Sequence, residues 1–187
     1  MVATHVALLR GINVGRAKRV GMAELRVIVE RLGYTGVRTL LNSGNVVFTA
    51  RAAPDAGARI EAAILQGLGV SSRVTVLTAE ELSTIVKRSP LEAIADNPSR
   101  HLVAVLKDPA HRKRLTSLTR QDWAPEALAL GSRVAYVWCP DGVIDSRVLE
   151  AIGREIGDGM TTRNWATMTK LHALCQAPPL SAGRARR

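Results

Sequence analysis

The sequence predicts an α+β protein in which one supersecondary unit is used twice. Three observations carry this. Strand-length apolar runs alternate with segments of helical apolar spacing, Gly, Pro and Asn turn signals separate them, and the element order of the first half recurs in the second.

In the first half, Ala3 to Leu9 is apolar, stops at a glycine and reads as a buried strand. Met22, Leu25, Ile28, Val29 and Leu32 recur at helical spacing, with Gly33 as the stop signal. Val37–Leu41 and Val46–Thr49 flank Asn42-Ser43-Gly44-Asn45, a hairpin turn. Pro54-Asp55 opens an alanine-rich helix with Ile60, Ile64, Leu65 and Leu68 on one face, and Arg73–Leu77 is the closing strand. Strand–helix–strand–strand–helix–strand is the split βαβ order of ferredoxin-like folds.

Thr78-Ala79-Glu80-Glu81 is a capping box for a helix carrying Leu82, Ile85 and Val86. Ser89-Pro90 ends it, and Asp96-Asn97-Pro98-Ser99 reads as a linker. The order then repeats. His101–Leu106 is a strand, and Asp108-Pro109 caps a helix with Leu115 and Leu118 inward. Glu126–Leu130 and Arg133–Cys139 pair across Gly131-Ser132. Ser146 starts a helix with Val148, Leu149, Ile152 and Ile156, and Met160–Thr162 is a short last strand. Trp165, Met168, Leu171, His172 and Cys175 form the inner face of a terminal helix. The fold class is therefore α+β: two tandem ferredoxin-like (βαββαβ, antiparallel sheet) units with a connecting helix and a C-terminal helix. Expected boundaries are residues 1–78 for the first unit, 79–100 for a helical linker and 101–176 for the second unit with its terminal helix. A disordered basic tail is expected over 177–187.

Composition narrows the function classes. At 47% hydrophobic and 22% charged, 187 residues can bury a substantial core. Apolar stretches are strand-sized and interrupted by charge, so no membrane partner is expected. The N-terminus lacks the basic region and long apolar run of a signal peptide. Cys139 and Cys175, far apart and outside any CxxC, read as reduced thiols of a cytoplasmic protein. His5, His101, His111 and His172 have no ligand spacing among themselves or with the cysteines, so no metal is expected. Neither GxxxxGK[ST] nor GxGxxG occurs, and no cofactor is expected.

A net charge of +10 points to a polyanionic partner, nucleic acid or a phosphorylated small molecule. Only five of the 26 basic residues are lysine, an arginine bias that GC-rich coding explains equally well. Aromatic content of 3% argues against a base-stacking platform. Arg112-Lys113-Arg114 is a further phosphate contact if nucleic acid binds, and otherwise a solvated face.

The densest signal is Arg10-Gly11-Ile12-Asn13-Val14-Gly15-Arg16-Ala17-Lys18-Arg19, with four basic residues and no acid between a strand and a helix start. Helix starts offer unsatisfied N–H groups and attract anions. In a βαββαβ unit the first two strands run the same way, so this loop shares one end of the sheet with Asn42-Ser43-Gly44-Asn45. The expected ligand residues are Arg10, Gly11, Asn13, Gly15, Arg16, Lys18, Arg19, Asn42, Ser43, Gly44 and Asn45. Thr162, Arg163, Asn164, Trp165 and Lys170 are expected to add a second contact surface. A plainer reading competes at each place: a glycine-permitted turn with solvated arginines, an Asn164 helix cap and a Trp165 core residue.

Ala7-Leu8-Leu9-Arg10-Gly11-Ile12-Asn13-Val14-Gly15, Met22-Ala23-Glu24-Leu25, Ser43-Gly44-Asn45-Val46-Val47-Phe48 and Thr161-Thr162-Arg163-Asn164-Trp165 resemble domain-of-unknown-function family number 1697. These are small bacterial cytosolic proteins, and the resemblance runs from about Val2 to Cys175. It implies tandem ferredoxin-like domains and brings no established activity. The chain departs from the family pattern with Arg16 and Gly21 where glycine and proline are frequent, and with Asn42 where glutamine is common.

The leading expectation is a binding module for a phosphate-bearing ligand, nucleic acid included. One alternative is an enzyme acting on a nucleotide or phosphorylated metabolite, using the same donors to stabilise developing charge. No general base stands in these motifs to serve it. Another is an interaction or oligomerisation module using exposed sheet edges.

Overall fold

The computed structural model describes residues 2–13, 19–51 and 53–177. The elements are β1 (Ala3–Arg10), α1 (Met22–Arg31), β2 (Thr35–Leu40), β3 (Asn45–Ala50), α2 (Ala56–Leu68), β4 (Arg73–Thr78) and α3 (Ala79–Lys87). After a connecting segment come β5 (His101–Leu106), β6 (Ala127–Leu130), β7 (Val134–Trp138), α4 (Arg147–Ile156), β8 (Met160–Asn164) and α5 (Trp165–Gln176). The sheets have orders β2-β3-β1-β4 and β6-β7-β5-β8, with every neighbouring pair antiparallel. The two halves thus repeat one topology, each followed by an extra helix.

The centre of β1, Val6–Leu9, is apolar because both of its faces are buried. Ala7 and Leu9 pack under α1 and α2 with Leu25, Val29, Ile60 and Ile64. Val6 and Leu8 face the other way, toward the second unit. There α3 and α5 fill the space between the sheets: Leu82, Ile85, Met168 and Leu171 pack with Val47 and Leu77 on one side and Val103, Val105 and Tyr136 on the other. Each fully buried leucine contributes about 1.5–3 kcal/mol. β5 repeats this two-faced burial, with Leu102, Ala104 and Leu106 in a third cluster under α4.

Caps fix the helix starts. Thr78 and Glu81 form a reciprocal box, with the Glu81 N–H donating to Thr78 Oγ1 at 3.1 Å and the Thr78 N–H to Glu81 Oε2 at 2.8 Å. Ser146 accepts from the Leu149 N–H at 3.1 Å, and Asn164 from the Thr167 N–H at 2.9 Å. The edge strands β4 and β8 lie together, with Thr75 and Thr161 joined through their hydroxyls at 3.4 Å and both buried. Glu61 of α2 bridges this seam, accepting from Lys107 Nζ at 2.6 Å and from the Val74 N–H at 2.7 Å.

Two elements differ from expectation. The segment opened by Asp108-Pro109 forms 3₁₀ turns over Pro109–Leu115 and Leu118–Arg120. Only Leu115 and Leu118, three residues apart, are buried there, too few for an α-helical stripe. β8 continues past Thr162 to Asn164 because Arg163 and Asn164 pair with Val103 and Leu102 of β5. Among the described residues no helix is long and apolar enough to cross a membrane.

Candidate anion-binding site

β1 and β2 both run antiparallel to β3, which brings the β1–α1 loop and the β2–β3 turn to one end of the first sheet. The Leu9 N–H donates to the Gly44 carbonyl at 2.8 Å. Gly44 adopts φ +74°, and a Cβ there would lie 2.6 Å from Leu9 Cβ and 2.7 Å from Ile12 Cδ1. The turn therefore rests directly on the loop, with buried Ile12 beneath it.

Asn13 joins the two. Its Oδ1 accepts from the Val20 N–H at 2.8 Å, and its Nδ2 donates to the Val20 carbonyl at 3.1 Å and the Asn42 carbonyl at 2.6 Å. The carboxamide behaves as a spare peptide group. It ties residue 13 to residue 20 and to the hairpin. Asn13 has φ +55°, a conformation asparagine tolerates better than most side chains. Gly15, Arg16 and Lys18 lie outside the described residues, as does the tail from 178 to 187.

An open cleft of about 440 Å³ lies beside this junction, lined by Asn13, Arg19, Val20, Gly21, Met22 and Asn42. Arg19, Gly21 and Asn42 are exposed. The start of α1 faces it, although the Gly21 N–H already donates to Glu24 Oε2 at 3.3 Å. Glu24 thus brings a carboxylate to a rim whose loops contain none.

Several of the other expected ligand residues are occupied elsewhere. Arg10 turns toward β8: its Nη1 donates to the Met160 carbonyl at 3.0 Å and its Nε lies 3.4 Å from Asp158 Oδ1. Asn45 is fully buried, with Nδ2 donating to the Leu40 carbonyl and Ser43 Oγ, each at 2.9 Å. Asn45 Oδ1 accepts from Arg163 Nε at 2.6 Å. Arg163 Nη1 donates to the Thr162 carbonyl at 2.8 Å, and Nη2 donates to Leu9 at 2.6 Å and Ser43 at 2.9 Å. This guanidinium, expected to add a ligand contact, instead holds the hairpin from behind. Burial lowers its pKa to about 10, so it stays charged at neutral pH. Asn164 caps α5, and Trp165 stacks on His101 with centroids 4.4 Å apart. Exposed Gly11 lies on the loop and exposed Lys170 on α5. Asp158 and Glu24 were missed as parts of the site. Glu24 had a signal in its spacing from Gly21, whereas nothing local marks Asp158.

All six aromatic side chains are placed. Phe48, Tyr34, Tyr136 and Trp138 are buried, Trp165 stacks on His101, and Trp123 donates its indole N–H to the Leu118 carbonyl at 2.7 Å. None lines the cleft. The thiols of Cys139 and Cys175 are free and pushed up by burial, Cys175 to about 11, which disfavours the nucleophilic thiolate.

A small α+β protein of two like units, with one donor-bearing cleft at the rim of the first, is the class these features define. The chain belongs to the family described as protein of unknown function (DUF1697), whose model matches residues 2–136. The Thr161–Trp165 motif lies beyond that match. The fold is similar to the structure of conserved bacterial protein SP0830 from Streptococcus pneumoniae, at 19% identity and a TM-score of 0.71. That likeness covers 94% of this chain and 100% of the other. No curated protein matches the chain.

Proposed function

We propose that the protein binds a phosphate-bearing ligand in the cleft between the β1–α1 loop and the β2–β3 turn. The observation that carries this reading is the Asn13 junction. It holds two polar segments at one rim and leaves an open space with exposed Arg19 on its wall. Residues 1–78 contain ten Arg or Lys against four Asp or Glu, so the first unit biases approach toward anions. Arg19 and the start of α1 supply charge and N–H donors, and the Asn42 side chain supplies a carboxamide. With no aromatic ring on the cleft wall, a nucleic acid would be held there through its phosphates rather than by stacked bases. The two free thiols fit a reducing, cytoplasmic setting.

Thermal shift with inorganic pyrophosphate and nucleoside phosphates tests the small-ligand form. Anisotropy with labelled duplex and single-stranded oligonucleotides at two salt concentrations tests the polymer form. Binding should fall about ten- to hundredfold in Arg19→Ala at unchanged melting temperature, because one charge-assisted contact to an anion is worth roughly 1.5–3 kcal/mol. No stabilisation by any phosphate compound, together with no oligonucleotide binding at low salt, refutes the proposal.

A further inference from the structure

We infer that Arg163 is a positioning residue for this cleft, so that the second unit sets the shape of the first unit's turn. The inference rests on the reading of the cleft as an anion site, but its geometry is independent of any ligand. The hydrogen bonds of Arg163 go to none of the residues lining the cleft. It acts through a chain of contacts. Its Nε holds Asn45 Oδ1, and its Nη2 holds the carbonyls of Leu9 and Ser43. Asn45 in turn holds Ser43 Oγ and the Leu40 carbonyl from inside the hairpin. The next residue, Asn42, presents its carbonyl to Asn13, which fixes Val20 at the cleft wall.

The turn needs such support. Leu41 has φ +57° while half exposed, a conformation that a leucine does not hold by its own preference. Five acceptors in different directions suit a planar guanidinium fork with five N–H donors. Lysine, a single ammonium on a flexible stem, matches the charge without the fork. The acceptors on Arg163 are carbonyls and a carboxamide, and none of its hydrogen bonds goes to a carboxylate. Its contribution is therefore geometric rather than an ion pair.

The test compares wild type with Arg163→Lys, Asn45→Ala and the double variant, each kept well below its melting temperature. Calorimetric titration with inorganic pyrophosphate reads affinity, and amide hydrogen exchange without ligand reads the turn. Arg163→Lys should weaken pyrophosphate about tenfold, and Asn45→Ala by a similar factor, the size of coupling carried through a packed network. The double variant should fall short of the sum of the single losses, because the two residues share the Nε–Oδ1 bond and support the same turn. Exchange should quicken at the Leu9 and Val20 amides and stay unchanged at Gly69, the C-cap of α2, and at Leu149, whose N–H meets the Ser146 cap of α4. Wild-type affinity in Arg163→Lys, additive losses, or a uniform rise in exchange over the chain overturns the inference. If wild type itself ignores pyrophosphate, that form of the functional proposal fails, and selective exchange at Leu9 and Val20 still decides whether Arg163 positions the turn.

Discussion

The two hairpin turns occupy equivalent places in their units, and both are tied down by an arginine. In the second unit the arginine belongs to the turn itself. Arg133 Nε donates to the Leu106 carbonyl at 3.0 Å, and its Nη1 pairs with Glu81 Oε1 at 2.9 Å. In the first unit Arg163 arrives from β8 and meets the Leu9 carbonyl, so each fork closes on the end of its unit's first strand. One fork has a carboxylate partner and the other does not. The loops beside them differ as well. Asp108 caps the 3₁₀ turn directly after β5 through the Ala110 N–H at 2.8 Å, whereas between β1 and α1 the sequence carries a basic stretch and Asn13 bonds to Val20 beyond it. The same frame is thus plain in one unit and elaborated in the other, and the elaboration marks where function is to be sought.

The largest expected contrast is between the turn glycines. Gly44→Ala meets Leu9 Cβ and Ile12 at positive φ, and neither the strand backbone under Leu9 nor a buried isoleucine can retreat. Urea unfolding should show a loss of about 3 kcal/mol. Gly131→Ala meets the buried side chains of Val134 at Cγ2, 2.8 Å, and Tyr136 at Cε2, 3.2 Å, but at no positive φ, so the backbone strain of Gly44→Ala is absent. Its loss should be about 1 kcal/mol. Equal losses would remove the distinction between a turn pressed on its loop and a turn merely near side chains.

Next in size is removal of each fork. Arg163→Met strands the Asn45 carboxamide oxygen and strips buried carbonyls, a cost of about 2 kcal/mol. Arg133→Met leaves Glu81, 40% exposed, to be rehydrated, and should cost about 1 kcal/mol. Added salt should narrow the second loss and leave the first unchanged, because only Arg133 sits in a screened ion pair.

Most of the frame was legible because it rests on local periodicity. The two-faced burial of β1 and β5 shows as unbroken apolar runs, and the shared end of the loop and the turn follows from strand order alone. The allocation of donors was not legible. Whether Arg10 faces a ligand or Asp158 depends on a contact spanning most of the chain, and the same holds for Arg163 and Asn45. Local sequence lists donors without saying which are already used. The 3₁₀ segment was missed for a related reason: a proline, an aspartate cap and two leucines fit either helix type until packing decides.

The smallest expected effect separates the starts of the two first strands. His5 stacks on Phe48 within its own sheet, with centroids 5.4 Å apart. His101 lies between Trp165 of α5 and Tyr136 of β7, with Nε2 3.3 Å from Ser89 Oγ, so its ring belongs to the packing between sheet and helices. Burial lowers the pKa of His101 below its ordinary 6.5. The unfolded chain therefore takes up a proton on this residue at a higher pH than the folded one. The contribution of neutral His101 is intact above 6.5 and is lost progressively as pH falls from there through the folded value. Urea unfolding over that range should show stability decreasing with acid, with His101→Gln flattening the dependence by this one residue's share. An unchanged slope in His101→Gln would mean that the imidazole is hydrated in the folded protein, contrary to its burial against Trp165.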